Sequence, residues 1–401
     1  MSSSARPIVM IGILFFIFGF ITWLCSVLIP YLQLACGLNN FQAQLVSFAF
    51  YISYFVMALP SGSVLHYTGF RKGISLGLLV MMIGSLFFIP AAITRMYSIF
   101  LLGLFIQGAG LAILQTAANP YVTILGEKER GAQRMSIMGI CNGVAGIIAP
   151  VILGRIVLED ADGIKNKIDP AGKVIIPYLF IALALLVLSV WFYYLQLPEP
   201  VEEDQDMAGD SGKKTTIFAF PHLLLGVFTL FLYVGMEVIA GNTVVGYATW
   251  QGIPLHTAKF FPSLTLSGML VGYVVGIVCI PKKISQVQAL KFSALLGIGF
   301  ALAVLFTKGI LSVIFVSLLG LSNSLMWPAI WPLAIADLGR FTKTGSALLV
   351  MAIAGGAVVP LLYGAVADRL NPQQAYWVVI PCCIMIEYFA IAGHKIRIKY
   401  K

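Results

Sequence analysis

One carboxylate stands out. Glu237 lies within the apolar stretch FLYVGMEVIAGN, with no Lys or Arg within ten residues on either side. An ionisable group at the centre of such a stretch costs roughly 2.5–3.5 kcal/mol on membrane-insertion scales, so something must offset it. Three kinds of chemistry would do so: carrying a proton, accepting hydrogen bonds from a polyhydroxylated ligand, or pairing with a distant cation. A second carboxylate, Glu387, is nearer the basic C-terminal segment and reads as structural.

Amides and indoles supply the rest of the candidate chemistry. The segment Gly108–Gly126 is apolar until Gln115, Thr116, Ala117, Ala118, Asn119 and Pro120. Gln115 and Asn119, at i and i+4, share a helix face, and Pro120 is expected to interrupt the helix there. That face could wall a polar site, and the same spacing serves equally to join two helices. Asn142, Asn323 and Ser324, with Trp327 and Trp331 at i and i+4, offer further amides and flat apolar faces. A sugar presents hydroxyls around an apolar ring face, so amides plus Trp form a natural recognition set. The alternative use of the indoles is packing between helices or facing lipid.

The elements that must position these residues follow from composition. The 401 residues are 60% hydrophobic and 10% charged, with mean hydropathy +0.95, which excludes the soluble globular class. Each bilayer crossing needs ~20 apolar residues. Twelve segments fit, near 8–32, 42–66, 73–94, 97–124, 132–155, 175–197, 221–246, 258–280, 288–306, 309–336, 344–366 and 374–393. Ile8 opens a first span that has no small-residue cleavage site, so it reads as retained. Between spans six and seven the sequence turns polar, PEPVEEDQDMAGDSGKKTT. This predicts a six-helix bundle over 1–197, a solvated acidic linker over 198–216 and a second bundle over 217–401.

Charge sets the expected orientation. With the N-terminus inside, seventeen of the 25 Lys and Arg residues fall in connections on that side, which predicts that both ends are cytoplasmic. The net charge of +9 is thereby explained without a nucleic-acid partner. The six cysteines and four histidines show no metal-ligand spacing, and Ser26 beside Cys25 has no His within its span. No metal, cofactor or enzymatic nucleophile is expected, and isolated amides do not make a continuous pore.

The halves echo one another. Gly146, Pro150 and Gly154 of span five recur as Gly356, Pro360 and Gly364 of span eleven, and FFIFG ending at Gly19 recurs as FLYVG ending at Gly235, which sets Ser26 opposite Asn242. Helices related in this way flank a central cavity in transporters built from repeats.

Twelve spans, an acidic central linker and GxxxHYxGxRK from Gly62 to Lys72 resemble the major facilitator superfamily. FFIFGFITWLCSVLIPYLQ, LQTAANPYVTILG, FLYVGMEV and NSLMWPAIWPLAI resemble, within it, the fucose permease and glucose/galactose transporter group. The resemblance implies an all-α membrane protein with two pseudo-symmetric six-helix bundles. It also implies a monomer in a bacterial inner membrane that moves a monosaccharide by alternating access. Aligned on LIP and TAANP, the family's acidic residues in spans one and four correspond to Ser26 and Gln115, neither of which titrates near neutral pH. The sugar-contacting Asn corresponds to Asn142, a nearby Gln to Gly139, and the aromatic before the span-ten proline to Trp327. The predicted substrate set is therefore Ser26, Gln115, Asn119, Asn142, Glu237, Asn323, Trp327 and Trp331. Glu237 is the remaining candidate for coupling to a proton or sodium. An uncoupled facilitator and a sugar sensor on the same scaffold are the other readings.

Overall fold

The computed structural model describes residues 5–124, 131–158, 174–195, 217–280, 283–338 and 341–396. The acidic linker lies outside them. Every regular element among the described residues is helical. Among the described residues eleven helices are long and apolar enough to cross a bilayer: Val9–Cys36, Asn40–Ala58, Arg71–Thr94, Tyr97–Ala118, Ile175–Tyr194, Pro221–Asn242, Leu255–Cys279, Gln286–Phe306, Gly309–Ile335, Ala347–Arg369 and Gln374–Lys395. A shorter one, Ile137–Leu153, lies between the fourth and the Ile175 helix. They are spans one to twelve in chain order, within a few residues of the sequence expectation.

Local chemistry sets the helix ends. Asn39 accepts from Gln42 N at 2.7 Å while Gln42 Oε1 accepts from Asn39 N at 3.1 Å, a reciprocal cap that starts span two. Ser285 and Gln288 repeat the device at span nine. Between spans two and three the helix breaks at Gly69, whose φ of 73° suits a residue without Cβ. Pro120 does not interrupt span four as expected: the helix runs Tyr97–Ile124.

Span ten is discontinuous. One helix ends at Asn323 and a second, Met326–Ile335, begins three residues later, with Pro328 in its first turn, where a missing N–H costs little. Pro332, deeper in the segment, cannot donate to the Pro328 carbonyl. Gln286 of span nine supplies that donor, its Nε2 reaching Pro328 O at 2.8 Å and Ala329 O at 3.2 Å. A backbone group freed within the membrane is thus satisfied by a neighbouring helix.

The two halves repeat the same glycine crossings. In the first, a Cβ on Gly19 would strike the Asn142 carbonyl, so span one crosses span five backbone to backbone. In the second, Gly235 and Gly355 bring spans seven and eleven equally close. Gly108 meets the Phe50 carbonyl where span four crosses span two, and Gly320 meets the Thr265 carbonyl where span ten crosses span eight. Small residues allow such approaches, and the packed contacts replace the hydrophobic drive that lipid cannot provide.

Candidate functional site

Residues from both halves converge where spans two, four and five face spans seven, eight and ten. On span seven, Tyr233 lies one helical turn before Glu237, within electrostatic range of its carboxylate. Tyr51 of span two and Tyr273 of span eight lie within electrostatic range of the same carboxylate. Tyr51 stacks on Tyr54 with ring centroids 6.3 Å apart, and Gln115 Nε2 donates to the Tyr54 hydroxyl at 3.1 Å. Tyr233 also meets Trp327, centroids 6.3 Å apart, and Trp327 stacks on Trp331 at 5.4 Å. Two chains of polar and aromatic side chains, Gln115–Tyr54–Tyr51 in the first half and Tyr233–Trp327–Trp331 in the second, thus come within electrostatic range of one another around Glu237.

Span five contributes from the other side. A Cβ on Gly139 would meet the Tyr273 ring at 3.8 Å. Asn142 is three residues on, so it occupies the same helix face. Gln115, Asn142, Glu237, Tyr273, Trp327 and Trp331 are each half-buried, whereas Tyr54 and Tyr233 are fully buried behind them.

Asn323 departs from expectation. It is completely buried at the end of the first segment of span ten, its Oδ1 accepts a long 3.5 Å bond from Ser322, and its Nδ2 meets no acceptor. In this conformation it offers no atom to a ligand, because the helix break turns Trp327 towards Tyr233 and leaves Asn323 in the packing. Ser26 and Asn119 lie in helices, and their side chains fall outside the described residues. Glu387 is within electrostatic range of Lys291 on span nine, and its buried Oε2 meets no hydrogen-bond partner.

Four tyrosines were not foreseen from sequence: Tyr51, Tyr54, Tyr233 and Tyr273. Only Tyr233 carried a usable signal, being four residues before Glu237 and so on its face. Their hydroxyls both donate and accept, and with one carboxylate and two amides they can satisfy a ring of hydroxyl groups. No Lys or Arg takes part in these contacts among the described residues.

Residues 11–357 match the model of the Major Facilitator Superfamily. The chain belongs to the Major Facilitator Superfamily. It is a membrane transporter of that superfamily and not an enzyme. It is 37% identical over 386 residues to a glucose/galactose transporter of Brucella abortus, covering 96% of this chain and 93% of that one. It is 30% identical over 405 residues to the L-fucose-proton symporter of Escherichia coli, covering 96% and 92% respectively. Among solved structures it is similar to the superfamily transporter FucP in the outward conformation, with TM-score 0.73, 29% identity and coverage of 97% and 98%.

Proposed function

We propose that this superfamily member carries a neutral monosaccharide, a hexose, across the membrane by alternating access, with a proton coupled at Glu237. The observation that carries the reading is the junction of the halves at Glu237. There the carboxylate has within electrostatic range Tyr233, which meets Trp327, and Tyr51, which stacks on Tyr54 and so leads to Gln115. Hydroxyl-rich cargo is served by tyrosines and amides, and the ring face by Trp327. The absence of a basic partner at the described site favours a neutral sugar over a sugar phosphate. Similarity to glucose/galactose and fucose-proton transporters supports the same substrate class and a proton as the coupling ion.

Glu237 is the coupling residue in this reading because it is the carboxylate of the site and lies within electrostatic range of tyrosines from both halves. Sodium coupling, a facilitator and a sensor are outcomes of the same experiments. The cation bias of the connections supports an inner-membrane topology with both termini cytoplasmic, and a monomer contains the whole site. The test is purified protein in liposomes, offered labelled glucose, galactose, fucose and an N-acetylated hexose. Saturable uptake of at least one is expected; no flux of any of them would overturn the proposal, and binding without flux would identify a sensor.

A further inference from the structure

We propose that the Asp368 carboxylate and the first turn of span two form a latch that holds shut the face opposite the chain termini and must release in every transport cycle. Asp368 ends span eleven in the second half. Its Oδ1 accepts from Asn40 N at 2.9 Å and Asn40 Nδ2 at 2.8 Å, and its Oδ2 accepts from Phe41 N at 2.8 Å, all in the first half. The first N–H groups of a helix have no partner within it, and the dipole there favours an anion. Asn39 and Gln42 already cap span two from within their own turn. The helix start is therefore provided for locally, and Asp368 takes the N–H groups left over, from across the interface.

The turn it grips is presented firmly and closely. Tyr97 of span four donates to Gln42 O at 2.7 Å, and Gln33 Nε2 reaches Asn40 Oδ1 at 3.5 Å. At Gly364, one turn before Asp368, a Cβ would lie 2.9 Å from Asn40 O and from Phe41 Cα, so only glycine lets span eleven come this near. Deeper along the same seam, Asn242 Nδ2 donates to Ser47 Oγ at 3.1 Å, and Tyr51 packs on Gly356. From Asn40 to Tyr51 the seam extends about 16 Å, roughly half a bilayer. Above the site, then, the halves are joined from mid-depth to the rim.

Asp368 itself is exposed. Water can replace its partners when the halves part, so the contact is strong enough to bias closure and weak enough to open. The latch rests on the alternating-access reading but not on which sugar is carried.

A cysteine at Ser47, which is fully buried under the latch, reports on it without any sugar. In Ser47→Cys protein in proteoliposomes, labelling of that position by a membrane-impermeant maleimide is measured above the signal of the parent with its native cysteines. Adding Asp368→Asn or Asp368→Ala is expected to raise the labelling rate on the order of tenfold, as closure loses its bias. Equal rates in both backgrounds would overturn the latch. A second variant, Asn40→Cys with Asp368→Cys, is oxidised and then reduced. Flux is expected to stop on oxidation and return on reduction; a fully cross-linked protein that transports at the reduced rate overturns the requirement for release. Failure of the sugar assignment leaves the labelling result intact, so the two are distinguishable.

Discussion

Tyr233 lies one helical turn before Glu237 on span seven, and its phenol is within electrostatic range of the Glu237 carboxylate. This arrangement places a neutral phenol, in place of a cation, near a lone carboxylate at mid-span. The charge is tolerated and remains available to a ligand or a proton, because a phenol, unlike an Arg, leaves it uncompensated. Tyr51 and Tyr273 bring the other half and span eight into range of the same group. A change of charge at Glu237 is thus felt on both sides of the interface that must move.

Trp327 is predicted to hold the sugar through its ring face. Trp327→Ala should raise the half-saturation concentration roughly fivefold, corresponding to about 1 kcal/mol of lost aromatic contact, with Trp327→Phe recovering part of it. The measurement is concentration-dependent uptake into proteoliposomes. An unchanged half-saturation value in Trp327→Ala would remove the indole from the site.

Gln286 is predicted to matter for stability through one carbonyl. Gln286→Leu leaves Pro328 O without its donor inside the membrane, at a cost of about 1–3 kcal/mol. Pro332→Ala returns a backbone N–H to that carbonyl, so the cost of Gln286→Leu should shrink in the Pro332→Ala background. Thermal unfolding of the four proteins in detergent measures this coupling. Additive losses would mean that Gln286 serves some other contact.

The glycine crossings divide into those with and without room. A methyl group at Gly355 would collide with the Phe231 carbonyl, whereas at Gly246 it would meet nothing within 4 Å. Gly355→Ala is expected to destabilise by about 1–3 kcal/mol. Gly246→Ala, within the short helix Val244–Trp250, should be neutral or slightly stabilising, since Ala favours helix. Melting temperatures test the contrast, and equal shifts would argue against the close crossing.

Much of this was legible in the chain. Apolar run length located the twelve spans because a bilayer fixes that length. The Gly19/Gly235 echo marked real close crossings, since only a missing side chain permits them. The span-ten break was not read, because Pro328 and Pro332 fit an uninterrupted apolar run and the donor that satisfies the gap, Gln286, comes from another helix. For the same reason Asn323 was placed in the site when it is packed away from it. Tyr51, Tyr54 and Tyr273 escaped notice because a tyrosine in a span also serves as an ordinary packing or interface aromatic. Only tertiary structure brings Tyr51 and Tyr273 within range of Glu237. Pro120 shows the converse: a strong local breaker at which the helix nonetheless continues.

The most direct test of the account sets uphill transport against exchange in wild type and Glu237→Gln. Proteoliposomes are given an imposed inward proton gradient and the labelled sugar that proves to be a substrate, and counterflow is then measured with no gradient. Accumulation above equilibrium is expected in the wild type and absent in Glu237→Gln, while counterflow persists in both. Undiminished accumulation by Glu237→Gln would contradict the assignment of coupling to this carboxylate, and a wild type that never accumulates sugar under a proton gradient would contradict proton symport itself.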